Sequence, residues 1–351
     1  MALYSMAEAL QLTRAGKLAE ATARLQAALS GGAPTPAKGP GAGVIDIVPE
    51  RVTVTGKAQA PEPRPAPASG RFEARRHSGP SGAIDYLLYR PASAARGMPL
   101  VVMLHGCTQS PEDFARGTAM NRLAEELGFL VAYPRQTPRA NLQKCWNWFE
   151  PGHQVRGRGE PALIAGLTRD IVVAEGADAA RVYVAGLSAG GAAAAILADT
   201  YPDVFAAVGI HSGLACGAAR DLPSALAAMR GGPRPSRARA ANAAFVPVIT
   251  FHGDRDATVD KGNAHGIVEA AAAAAGVDIL TEVEKGKAGG RSYTRALRRD
   301  RSGKVLIEQW TIAGAGHAWS GGDPSGTYAD AAGPDASRAM LRFFLTHTAK
   351  P

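Results

Sequence analysis

Gly186-Leu187-Ser188-Ala189-Gly190 sets one serine between two glycines, straight after the apolar run 181–187 and just ahead of the alanine-rich stretch "AGGAAAAILAD". A hydroxyl exposed on a sharp strand-to-helix turn suits a nucleophile for acyl transfer, because the glycines remove side chains that would clash in so tight a turn. The helix that follows favours negative charge developing beside the serine. A plain serine cap on a glycine-rich turn is the alternative, and the strand-helix context argues for the nucleophile.

A serine hydroxyl needs a base, and the base needs an acid to orient it. Of the eight histidines, His317 in "IAGAGHAWSGG" follows the last apolar strand on a glycine-flanked loop and precedes the final helix. That is the place for the base when the chain order is Ser, Asp, His. The acid belongs at the strand end between them, where "VITFHGDRDATVD" offers Asp254, Asp256 and Asp260. Asp256 is the expected acid. Asp254, immediately after the strand-terminal glycine, has its side chain spent on the turn or a cap and stays as the rival. Two backbone N–H groups must meet the developing oxyanion, one from Ala189 and one from Cys107 in "MLHGCTQSPEDF". Trp146 and Trp148 in "CWNWFEPGH", with Trp319 two residues after His317, are candidates for an aromatic substrate wall. Anchoring of their loops to the core is the competing role.

The elements that must position these residues read as an alternation. Strand-length apolar runs at 99–106, 129–134, 181–187, 205–212, 245–253 and 305–312 alternate with helical stretches at 111–127, 161–175, 189–200, 221–230, 263–275 and 334–347. Near-continuous apolar strands between helices predict a mostly parallel, doubly wound α/β sheet with helices on both faces. Sites in such sheets lie beyond the carboxyl ends of the strands, where all the candidates fall. This catalytic domain is expected over 71–351. Residues 1–30, with Leu10, Leu18, Leu25 and Leu29 at helical spacing, read as a helical hairpin. Residues 31–70 contain 15 Pro or Gly, which is linker composition.

Composition narrows the class. The net charge of +8 comes from scattered arginines, and no helix concentrates it, so nucleic acid is not the expected partner. There is no apolar run long enough for a membrane span. Three cysteines without a CxxC pair make a zinc knuckle unexpected, and no metal or other cofactor is expected. The N-terminus lacks the basic-then-apolar order of a signal peptide, which favours the cytoplasm.

With Ser188, Asp256 and His317 placed, the stretches "LHGCTQ", "KCWNWF", "VYVAGLSAGG", "HGDRDATV", "GAGHAWSGG" and "GPDASRAMLRFF" together resemble the polyhydroxybutyrate depolymerase family of esterases. These are α/β-hydrolases whose relatives include feruloyl and acetylxylan esterases. The resemblance covers roughly residues 75–348. It implies a cofactor-free serine esterase acting through an acyl-enzyme on short-chain hydroxyalkanoate polyester or oligomers, with feruloyl or acetyl esters of polysaccharide as the alternative. It also implies a disulfide between Cys107 and Cys145 that braces the oxyanion loop. Members are commonly secreted, so an extracellular location stands beside the cytoplasmic one. A binding protein with a relict hydrolase core is the reading from another class, and the intact Ser, Asp and His argue against it.

Overall fold

The computed structural model describes residues 70–231, 245–276 and 280–349. The hairpin expected over 1–30 and the linker up to residue 69 lie outside the described residues. One ten-stranded sheet organises the rest, in the order β1-β2-β4-β3-β5-β6-β7-β10-β9-β8. Its centre is parallel: β3 (Leu100–Leu104), β4 (Leu130–Pro134), β5 (Val182–Leu187), β6 (Ala207–His211), β7 (Val248–Gly253) and β10 (Val305–Ile312). From β3 to β7 every residue of these strands is buried, as strands covered on both faces must be.

Antiparallel strands flank both sides: β1 (Arg71–Gly79) with β2 (Gly82–Arg90), and β8 (Leu280–Ala288) with β9 (Arg291–Arg299). The alternation of apolar runs and helices passes over these four. The outer faces of β1 and β8 are wet and charged, so no continuous apolar run marks these two. The helical stretch 111–127 is two helices, α1 (Pro111–Thr118) and α2 (Met120–Leu127), broken where Ala119 takes φ 51°. The remaining helices are α3 (Gly159–Glu175), α4 (Ala189–Thr200), α5 (Leu222–Gly231), α6 (Gly262–Ala275) and α7 (Ala336–Phe344).

Alternate residues of each central strand feed two cores. Val102 and Leu104 pack with Ile164, Ile196 and Ile267 from α3, α4 and α6. Val101 and Met103 pack on the other face with Phe114, Leu123 and Phe344 from α1, α2 and α7. Helix α4 is buried from Ala189 through Ala198, and its alanines allow that approach. Truncating a side chain such as Ile196 to Ala would cost roughly 2–5 kcal/mol. Among the described residues no helix is long and apolar enough to cross a membrane.

Candidate active site

Ser188 sits between β5 and α4 at φ 57°, ψ −119°, a conformation that L-residues avoid. Holding it costs on the order of 1–3 kcal/mol, which the surroundings must supply. They do so through backbone: the Ser188 N–H donates to the His211 carbonyl at 2.9 Å, and its own carbonyl accepts from Ala192. The two glycines are sterically required. A Cβ on Gly186 would lie 2.3 Å from the Gly190 backbone, and one on Gly190 would lie 2.0 Å from the Leu104 carbonyl oxygen.

His317 and Asp256 meet across the loops after β10 and β7, with His317 Nδ1 2.7 Å from Asp256 Oδ2. The Asp256 side chain is fully buried. Its Oδ1 accepts the N–H groups of Thr258 and Val259, both at 2.9 Å. Burial alone would raise this carboxyl, but hydrogen bonding from His252 and His317 outweighs it and holds the group well below the usual carboxylate range. An ionised carboxylate only accepts, so His317 Nδ1 is the donor and Nε2 is left to take a proton. Asp254 lies apart from this pair. Its Oδ1 accepts the Gly314 N–H at 2.7 Å and so shapes the loop that leads to His317.

His252 is a partner that reading along the chain missed. Its Nε2 donates to the Val259 carbonyl at 2.8 Å and stands 3.4 Å from Asp256 Oδ2, tying the end of β7 to the loop that carries Asp256. The signal was its place four residues before Asp256 at the end of an apolar strand. The other strand-end histidines are inward-facing: burial pushes His105 down to about 4 and His211 to about 3, so both rings are neutral.

Ser188, Cys107, Ala189 and Trp148 line one cavity of about 420 Å3. Ala189 is the first residue of α4, so its N–H has no acceptor within the helix. The Gln109 side chain accepts the Gly106 N–H at 2.9 Å and orders the turn into Cys107. Cys107 and Cys145 are joined by a disulfide with Cα atoms 4.2 Å apart, tying that turn to the loop carrying Trp148. Behind this loop the buried Glu160, also missed, accepts the side-chain amide of Gln136 and both the backbone and side-chain N–H groups of Asn147.

Two tryptophans are placed otherwise than expected for a substrate wall. Trp146 is fully buried and donates to the His105 carbonyl at 3.0 Å. Trp319 is 1% exposed, stacks on His211 and donates to Ser337 Oγ at 3.0 Å. Each indole is held by a core acceptor, and neither lines the cavity. Trp148 does, with Phe149 edge-on beside it at 5.8 Å. Among the described residues no group of three or more His, Cys, Asp or Glu is placed to hold a metal ion.

A parallel sheet with antiparallel flanks, and a strained serine on the turn after a central strand, define an α/β-hydrolase. Within that class the chain belongs to the esterase PHB depolymerase family, which it matches over residues 84–296. That span contains Ser188 and Asp256, whereas His317 lies beyond it. The chain is 32% identical over 246 residues to poly(3-hydroxyalkanoate) depolymerase C of Paucimonas lemoignei, a match covering 67% of this chain and 58% of that protein. It is 34% identical over 143 residues to feruloyl esterase B of Thermothelomyces thermophilus, covering 40% and 48% respectively. The chain thus spans about half the length of the curated relatives it matches. Among solved structures, an acetyl xylan esterase from Aspergillus awamori shares the fold, with a TM-score of 0.59 at 20% identity, over 79% of this chain and 99% of that one.

Proposed function

We propose that the chain is a serine esterase that hydrolyses carboxylic esters through an acyl-enzyme, acting on hydroxyalkanoate-type polyester or its oligomers. The observation that carries this reading is the strained Ser188 sharing one cavity with Cys107 and Ala189, beside an acid loop on which Asp256 bonds His317. In this mechanism Ser188 Oγ attacks the ester carbonyl carbon as His317 Nε2 takes its proton. Asp256 holds the ring in the required tautomer and stabilises the imidazolium. The Cys107 and Ala189 N–H groups receive the oxyanion. Collapse expels the alcohol, protonated by His317, and leaves the acyl group on Ser188. Water, deprotonated by the same histidine, then releases the acid and restores the serine.

The substrate assignment draws on the likeness to poly(3-hydroxyalkanoate) depolymerase C. Hydrolysis of feruloyl or acetyl groups on polysaccharide is the second reading, drawn from the likeness to feruloyl esterase B. Incubation with a fluorophosphonate followed by peptide mass mapping tests the chemistry, with a single adduct expected on Ser188. Rates on hydroxybutyrate oligomers, methyl ferulate and acetylated xylan test the substrate. An adduct elsewhere or none would overturn the serine mechanism, and faster turnover of the ferulate or xylan ester would move the substrate to the second reading.

A further inference from the structure

Helix α5 contributes more residues to the cleft than any other described helix or strand. Leu222, Ala225, Leu226 and Met229 recur at i, i+3, i+4 and i+7, a single helical stripe, and all four line the cavity holding Ser188. Such a stripe ordinarily faces a core, but here Leu222 is 56% exposed and Leu226 47%. Buried Leu214 and Val259 extend the same apolar surface. The lining has no acidic or basic side chain, and its polar groups besides Ser188 are Asn141 and Gln143.

The stripe is also held in register with the acid loop. The Asp260 N–H donates to the Met229 carbonyl at 2.7 Å, and Asn263 Nδ2 reaches the Ala228 carbonyl at 3.0 Å. Asp260 follows Val259, whose N–H is held by Asp256. At its other end Asp221 caps the helix by accepting the Ser224 N–H at 2.8 Å. A chain lying on the stripe is therefore positioned by the same loop that positions the acid.

We propose that Leu222, Ala225, Leu226 and Met229 form the seat for an alkyl chain of several carbons. The enzyme then selects aliphatic esters, including hydroxyalkanoate units with side chains longer than methyl, over acyl groups carried on sugars. This rests on the serine-esterase reading. Each methylene seated against such a wall gains roughly fourfold in kcat/KM. Sugar hydroxyls pressed on it would lose water without gaining a partner.

The test uses the full chain and p-nitrophenyl esters from acetate to octanoate. The readout is the ratio of kcat/KM for octanoate to that for acetate. The wild-type ratio is expected at about 60-fold or more, three seated methylenes at about fourfold each. Met229→Trp, which fills the stripe, should lower the ratio about tenfold, and Leu226→Asn, at a half-exposed position, about threefold or more. A flat wild-type profile, or variants that depress both esters equally, would overturn the seat. Fluorophosphonate labelling of Ser188 runs in parallel on every variant. Labelled protein with a flat profile removes the alkyl seat alone, whereas unlabelled wild-type protein removes the serine-esterase reading and the seat with it.

Discussion

At the scale of single residues, the proposed chemistry rests on groups whose hydrogen bonds leave few alternatives. Ser188→Ala removes one half-buried hydroxyl that packs against no core. It should lower kcat by about 10⁴-fold while leaving the urea unfolding midpoint nearly unchanged. Steady-state kinetics on a p-nitrophenyl ester check the first outcome and denaturation the second. The two aspartates separate by the same accounting. Every oxygen of Asp256 faces N–H donors, from Thr258 and Val259 on one side and His317 and His252 on the other. An asparagine there must turn its own donor against one of these sets, so Asp256→Asn should cost about 10³–10⁴-fold in kcat. In Asp254→Asn the amide oxygen still accepts the Gly314 N–H, and activity should stay within about tenfold. Measured kcat values in the opposite order would reassign the acid.

At the scale of elements, the loop between β4 and α3 is hung on a carboxylate. Glu160 is 7% exposed, and its two oxygens receive N–H groups from Gln136 and Asn147. Cys145, on the same loop, is bonded to Cys107 at the mouth of the cavity. In Glu160→Gln either orientation of the new amide sets a donor against a donor. Stability should fall by about 1–3 kcal/mol. As the loop loosens, kcat should fall more than KM rises, because a displaced oxyanion donor weakens the transition state first. Paired denaturation and kinetic measurements check both, and a pure KM effect would place Glu160 outside the positioning of Cys107. Cys145→Ser should act in the same direction, with a stability loss of about 2–4 kcal/mol.

For the molecule as a whole, neutral histidines under the sheet's carboxyl edge set its tolerance of acid. His105 and His211 are held at about 4 and about 3, against 6.5 for the unfolded ring, because burial disfavours their charged form. Both pKa values are depressed on folding, so the unfolded chain binds more protons over this interval. The stability is complete above pH 6.5 and is lost as pH falls toward 4 and then 3. His347, also lowered by burial, adds in the same sense. Between pH 7 and pH 5 the unfolding free energy should drop by on the order of 3 kcal/mol. Urea titrations at the two pH values measure it, and an unchanged midpoint would show that these rings are not buried neutral.

By itself the amino-acid order determined whatever depends on neighbours along the chain. The five strands from β3 to β7 are visible because burial on both faces demands unbroken apolar runs, and the serine turn because a Cβ on Gly186 would clash with Gly190, only four residues on. Strand ends and glycine-flanked loops pointed to Asp256 and His317, whose side chains meet in the fold at 2.7 Å. Tertiary structure alone decided what depends on partners distant in sequence. Strands β1 and β8 carry charges on a wet face, so only pairing to the sheet reveals them as strands. Trp146 and Trp148 stand two residues apart, yet one is spent in the core on the His105 carbonyl and the other faces the cavity. Residue type could not separate them, because the same indole serves both. Glu160 and His252 acquire their roles from Asn147 and Asp256, through contacts that exist only once the loops have closed. The apolar stripe of α5 follows ordinary core periodicity, and only the packed chain leaves it beside Ser188.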